Sequence, residues 1–252
     1  MNGEKKRLWN LLWVVLAIGV FYITSNVLMM LSYETIPRYL IPVKQEQAQT
    51  YLLLADTITS TVLLGFSFVA FRLLREKPEG GIQPLSGRMF GQCAVIGAAV
   101  FGINTFLQML LHPTASGGMR ESFMSMFLFG VLFAPLIEEC FFRGVVYNLL
   151  SRFKGGWFSV VCSAVLFGAY HMDLYQAIYT TLLGLALALV YQRTHRLAYA
   201  IAIHMANNAC ACLAVGVIPA SGQMAFGIVT LAMAVPAGWF LLKPRREAAV
   251  ES

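Results

Sequence analysis

The chain alternates between long apolar segments and short polar connections. About 20 apolar residues in a helix cross the hydrocarbon core of a membrane, and about eight segments of this chain approach that length. The connections at 33–49 and 76–89 combine prolines or glycines with charged residues, which is typical of loops. The pattern predicts an all-α, polytopic membrane helix bundle with about eight transmembrane helices. These cover residues 8–32, 50–74, 90–112, 122–150, 156–171, 174–192, 197–216 and 221–242.

Composition supports the same class of protein. Of 252 residues, 58% are hydrophobic and 12% are charged, whereas soluble domains carry about 25% charged residues. We therefore expect a single integral membrane domain over residues 1–252, with membrane lipids as its surroundings. A nucleic-acid partner is excluded, because it would require a basic face on a soluble fold.

The lysines and arginines indicate how the chain lies in the membrane. Alternate connections carry 14 of them on one side and three on the other, namely Arg38, Lys44 and Arg120. Cytoplasmic loops are enriched in lysine and arginine, so we expect both termini in the cytoplasm. The apolar run from Leu8 is too long for a cleaved signal peptide, and no eukaryotic targeting signal is evident. The sequence favours the bacterial inner (plasma) membrane.

Two adjacent glutamates lie inside the fourth apolar segment. Glu138 and Glu139 are followed by Arg143, and a charged side chain at the centre of a membrane helix costs about 2.5–3.5 kcal/mol on insertion scales. Residues four apart share a helix face, so Glu139 and Arg143 are expected to pair and Glu138 to lack a local partner. One interpretation is a buried ion pair with Glu138 reaching the interface. The other is a supporting pair beside a base, Glu138, that faces a cavity.

Two later apolar segments each contain a histidine in an i, i+4 pair. Phe167 and His171 can pack on one face, and His204 and Asn208 can share another. Taken alone, a histidine at a helix end is commonly interfacial, and the histidine–asparagine pair commonly bonds between helices. Asn207 is expected to face elsewhere and to be structural.

Three other polar residues, Asp56, Asn104 and Gln108, are candidates for lining the cavity or for helix contacts, and helix contacts are the favoured role. Counting along the segments puts the glutamate, the two histidines and Asn208 between the membrane midplane and its cytoplasmic half. Together, such groups have the composition of a hydrolytic site. A glutamate activates water, a histidine shares the proton, and histidine and asparagine donors stabilise an oxyanion.

The three motifs, taken together, resemble the signature of the CAAX protease and bacteriocin-processing (CPBP) family, also called the abortive-infection family. Its signature is E-E-x-x-x-R, then F-x-x-x-H, then H-x-x-x-N on later membrane helices. The matching stretches here are 138–143, 167–171 and 204–208. The resemblance is close over 122–216, where we expect the catalytic core helices, and the first three apolar segments carry no matching motif.

The resemblance implies an intramembrane endopeptidase related to the type II CAAX prenyl proteases. Carried over, Glu138 and His171 activate water, and His204 and Asn208 form the oxyanion hole. Glu139, Arg143 and Phe167 are supporting residues. The implied substrate is a membrane-associated protein or peptide.

Metal dependence and two other functions are the alternatives at this stage. Glu138, His171 and His204 have the residue types of a zinc site, but H-E-x-x-H is absent and asparagine is a poor zinc ligand, so we favour no cofactor, with zinc as the alternative. The chain could instead be a non-catalytic membrane immunity or scaffold protein. A small-molecule transporter is another interpretation of the sequence, because buried ionisable residues also mark ion paths.

Overall fold

The structure is a computed structural model that describes residues 3–40, 48–74, 84–111 and 123–242. Seven helical stretches in this part of the chain are long and apolar enough to cross a membrane, one shorter apolar helix accompanies them, and the described residues form no strand. The all-α bundle predicted from the sequence is confirmed. Its helices are α1 (Gly3–Met30), α2 (Ala48–Leu74), α3 (Gly87–Leu111), α4 (Phe123–Phe153), α5 (Gly156–Tyr170), α6 (Leu174–Thr194), α7 (Leu197–Gly216), α8 (Ala220–Ala232) and α9 (Ala234–Leu242).

The fifth and the last of the eight predicted membrane spans differ in the structure. Helix α5 has only 15 residues, about 22 Å at 1.5 Å per residue, so it is too short to span alone. The last predicted span divides into α8 and α9 at Met233.

The first helix is longer than predicted. It continues past α1 as a wider, π-type helix, Leu31–Leu40, although this stretch includes Pro37. The prediction of a loop from residue 33 is therefore wrong as far as residue 40. The Tyr51 hydroxyl donates to the Ser32 carbonyl, and the Ser32 and Thr59 hydroxyls lie 3.1 Å apart. These contacts with α2 hold the extra turns. Residues 41–47 and 76–83 of the predicted loops lie outside the described residues.

Helix α4 changes its winding on both sides of the two glutamates. The Ala134 N–H donates to the Phe129 carbonyl and the Tyr147 N–H to the Phe142 carbonyl, five residues back in each case. The stretches Met126–Phe133 and Phe142–Val146 are thus π-helical, and α-helical Ala134–Phe141 lies between them. Such wide turns occur often at functional sites.

Close approaches between helices position the later motifs. A Cβ added at Gly97 of α3 would lie 2.6 Å from Ala206 Cβ and 2.9 Å from the Asn207 nitrogen of α7. A Cβ at Gly168 of α5 would lie 2.6 Å from the Ala177 carbonyl oxygen of α6. Small residues let membrane helices pack backbone to backbone. Glycines therefore seat α7 on α3 and α5 on α6.

Candidate active site

The three motifs meet at one cavity of about 430 Å³. Helix α4 contributes Glu138 to its wall, α5 contributes His171, and α7 contributes His204 and Asn208. Phe167 also lines it. All four residues with predicted catalytic roles thus line one space, together with one of the predicted supporting residues.

A fully buried ion pair lies behind the cavity wall. Arg143 Nη1 is 3.1 Å from Glu139 Oε1, and neither side chain is exposed. Arg143 Nη2 donates to the Gly184 carbonyl of α6 at 3.0 Å, and the guanidinium lies 4.7 Å from the centre of the Phe167 ring. The pairing expected from the i, i+4 spacing is present, and the arginine also ties α4 to α5 and α6.

His204 bridges the two glutamates. Its Nδ1 lies 2.9 Å from Glu139 Oε1, and its Nε2 lies 3.7 Å from Glu138 Oε2. A carboxylate only accepts hydrogen bonds, so Nδ1 carries a proton and donates it to Glu139. Nε2 is then the nitrogen that faces Glu138, and it can donate only when the ring is doubly protonated.

Glu138 differs from its neighbour in access. Its side chain is 18% exposed, whereas that of Glu139 is fully buried. Adjacent glutamates on one helix therefore have different environments, one on the cavity and one within the bundle. The sequence predicted that Glu138 lacks a partner on its own helix, since only Glu139 has a cation four residues away, and left open whether Glu138 reaches the interface or faces a cavity.

His171 is held by its own helix. Its Nδ1 lies 2.9 Å from the Phe167 carbonyl oxygen, and the two rings meet edge to face with centroids 5.1 Å apart. Because a carbonyl only accepts, Nδ1 carries the proton. In the neutral ring Nε2 is then an acceptor that can take a proton from water.

The asparagines form a short chain that ends on α4. Asn208 Nδ2 donates to the Gly130 carbonyl at 2.8 Å, and Asn207 Nδ2 donates to Asn208 Oδ1 at 3.0 Å. Gly130 belongs to the first π-helical stretch of α4. The prediction that Asn207 faces elsewhere is wrong: it lines the cavity beside Asn208 and orients its amide. Helix geometry allows this because residues 204, 207 and 208 all lie within one broad face.

Sequence reasoning missed most of the remaining wall. The sequence favoured helix contacts for Asn104 and Gln108, but both line the cavity, which was the alternative. The signal was available as polar residues spaced i, i+3, i+4 on apolar helices, but nothing in the spacing identifies the helix they face. The other uncharged polar residues of the wall are Thr105 on α3 and Gln176, Tyr179 and Thr180 on α6.

The described residues offer no set of ligands for the zinc alternative. Among the residues that the structure describes, no group of three or more histidine, cysteine, aspartate or glutamate side chains is arranged to hold a metal ion. His204 Nδ1 is bonded to Glu139, which leaves Nε2 alone for a ligand role. Glu138, His171 and His204 as placed do not form such a group, so no step is routed through zinc.

The match to a known protein family falls on the stretch of the chain that holds the three motifs. Residues 120–210 match the family described as Type II CAAX prenyl endopeptidase Rce1-like, and this stretch holds all three motifs. The match supports the resemblance of residues 120–210 to the CAAX protease (CPBP) family. The family and the seven apolar spans agree on an integral membrane protein.

One curated relative that matches part of this chain is a protein of Bacillus subtilis (strain 168) named "Putative membrane peptidase YdiL". It is 30% identical over 83 residues, which are 33% of this chain and 34% of that protein. The matched stretch thus spans about a third of the relative's length. No solved structure matches the chain.

Proposed function

We propose that the chain is an intramembrane endopeptidase that hydrolyses peptide bonds of membrane-associated proteins or peptides. The observation that carries the proposal is the single cavity lined by Glu138, His171, His204 and Asn208. The match of residues 120–210 to a peptidase family supports the reaction class. No observation favours the scaffold or the transporter reading.

In the proposed reaction, a water molecule binds between Glu138 and His171 Nε2. The Glu138 carboxylate takes a proton from this water as its oxygen bonds to the scissile carbonyl carbon. The proton later passes to the leaving amine as the C–N bond breaks, so no net proton is consumed at the site. Proton transfer by a positioned side chain contributes about 10²–10⁴-fold to rate.

Negative charge then develops on the former carbonyl oxygen. Asn208 Nδ2 donates one hydrogen to the Gly130 carbonyl, and its second hydrogen can be donated to this oxygen. His204 Nε2 can be the other donor only in its doubly protonated form, because Nδ1 donates to Glu139. Glu139 thus has a role beyond pairing with Arg143: it stabilises the His204 cation.

Charge balance supports that form of His204. With both glutamates ionised and both Arg143 and His204 cationic, the four groups sum to zero. Moving the proton from His204 Nε2 to Glu138 leaves the sum unchanged. A neutral cluster avoids the large cost of a net charge in a low dielectric, so the 3.7 Å gap between these atoms is the proposed path of a shared proton.

Comparative proteomics tests the function. Membranes from cells with the wild-type protein and with Glu138→Gln are compared for membrane-associated peptides that accumulate uncut in the variant. The purified variant is expected to remain folded and to cleave none of these peptides. Wild-type cleavage rates in Glu138→Gln would refute the assignment, and an intact cellular phenotype without cleavage would favour a scaffold.

Two further experiments test metal dependence and the setting in the membrane. We propose a metal-free mechanism; stoichiometric zinc whose removal by a chelator abolishes cleavage would overturn it. We further propose the bacterial inner membrane with cytoplasmic termini, because the basic residues cluster on one side. Labelling of single cysteines introduced beside Arg88 and Arg193, from either side of the membrane, tests that orientation.

A further inference from the structure

The part of the cavity wall that α3 and α6 form is unusual for membrane helices. Helix α3 presents Phe101, Asn104, Thr105 and Gln108 to it, and α6 presents Gln176, Tyr179, Thr180 and Leu183. Both sets follow the i, i+3, i+4, i+7 spacing of one helix face. Two otherwise apolar helices thus turn uncharged polar side chains toward the same space.

Asn104 and Gln108 are not explained by helix association. That role requires hydrogen bonds to a neighbouring helix, and neither side chain bonds to another described residue. Asn104 Oδ1 is in addition buried without a hydrogen-bond partner, which costs about 1–3 kcal/mol for a polar group. Their common feature is the cavity that they line.

We infer that Asn104 and Gln108 bind the backbone of an extended substrate strand, an inference that rests on the proposed peptidase function. A carboxamide has both donors and an acceptor, so it can pair with the N–H and C=O of a peptide. Four residues of helix rise about 6 Å, and alternate residues of an extended strand are about 6.6 Å apart. The two amides therefore match alternate peptide groups of a strand that runs along α3.

This arrangement selects substrates by backbone rather than by side-chain charge. The carboxamides and hydroxyls of the wall are uncharged, and of the described residues that line the cavity none is lysine or arginine. The bound segment must also give up helical hydrogen bonds before it can pair with the wall. The substrate class is an uncharged, locally extended peptide segment.

The test measures binding, so that it does not depend on cleavage. Glu138→Gln protein in lipid nanodiscs is titrated with a dye-labelled peptide of alternating alanine and leucine. Matched peptides carry an ester in place of one peptide bond, moved along the chain; the ester lacks the N–H and is a weaker acceptor. Binding is expected to weaken about tenfold at two positions two residues apart, and little at the position between them.

Isosteric variants assign the two positions. Asn104→Leu should abolish the ester effect at one position and Gln108→Met at the other, while Asn26→Leu on α1 should change neither. Asn26 is a suitable control because its side chain is exposed and donates to its own helix at 2.8 Å. Both cavity variants replace a polar by an apolar side chain of similar size, so folding in the membrane should be retained.

Each outcome separates this inference from the peptidase proposal. An ester effect that is uniform along the peptide, one that persists in both variants, or no binding at all would overturn the inference. Cleavage by the wild-type protein with any of these results would leave the peptidase function standing. Position-specific binding of the peptides, together with no cleavage by the wild-type protein, would support the backbone-binding inference and refute the peptidase function.

Discussion

The buried Arg143 offers the sharpest test of how the site is held. Arg143→Met removes the bond to Glu139 at 3.1 Å and the bond to the Gly184 carbonyl at 3.0 Å. Both partners remain buried, and the carboxylate keeps only His204 Nδ1 at 2.9 Å. Removing one partner of a buried ion pair costs about 3–5 kcal/mol. Because one donor survives, we expect a loss of about 3 kcal/mol in the free energy of unfolding.

A second variant separates charge from packing. Arg143→Met combined with Glu139→Gln removes both charges, and the new amide oxygen still accepts from His204. The remaining deficit is the lost bond from Arg143 to the Gly184 carbonyl, at about 0.5–1.5 kcal/mol, because this carbonyl lies inside α6 and keeps its helical hydrogen bond. The double variant should therefore be more stable than Arg143→Met alone, by a coupling within the range of about 0.5–3 kcal/mol seen for contacting residues.

Reversible unfolding in mixed detergent micelles, followed by tryptophan fluorescence, measures these free energies. Arg88→Met is the matched control, because Arg88 is exposed at the start of α3 and should change stability by less than about 0.5 kcal/mol. The reasoning fails if Arg143→Met is as stable as this control. It also fails if the double variant is less stable than Arg143→Met.

Three further predictions concern the glycine contact, the oxyanion donor and His204. Gly97→Ala should destabilise the protein by about 1–3 kcal/mol, since its Cβ would meet α7. Gly91→Ala on the same helix has open space around its Cβ and should leave the stability unchanged. Equal shifts in melting temperature for the two variants would contradict this prediction. Asn208→Leu should lower kcat by about 10²–10³ with little change in KM, and a change confined to KM would exclude the oxyanion role. His204→Gln should abolish most turnover yet leave thermal stability within about 1–2 kcal/mol of wild type, because the amide can still donate to Glu139; unaltered turnover would remove His204 from the mechanism.

The sequence was a good guide wherever the determining property is local. Apolar length specified the spanning helices, and the four-residue spacing specified the contacts of Arg143 with Glu139 and of His171 with Phe167. It was a poor guide to the helical turns after Met30. Those depend on bonds between Ser32 and residues of α2, 19 and 27 positions away.

The candidate site shows the same difference between what local sequence predicts and what helix packing decides. The motifs by themselves indicated which groups could carry hydrolytic chemistry and which family residues 120–210 resemble, because residue type and spacing carry that information. Only the tertiary structure decided that His204 bridges both glutamates, 65 residues from its partner Glu139, and that Asn207 and Asn104 line the cavity. The physical reason is that helical spacing defines which residues share a face, whereas the neighbour of that face is set by how the helices pack.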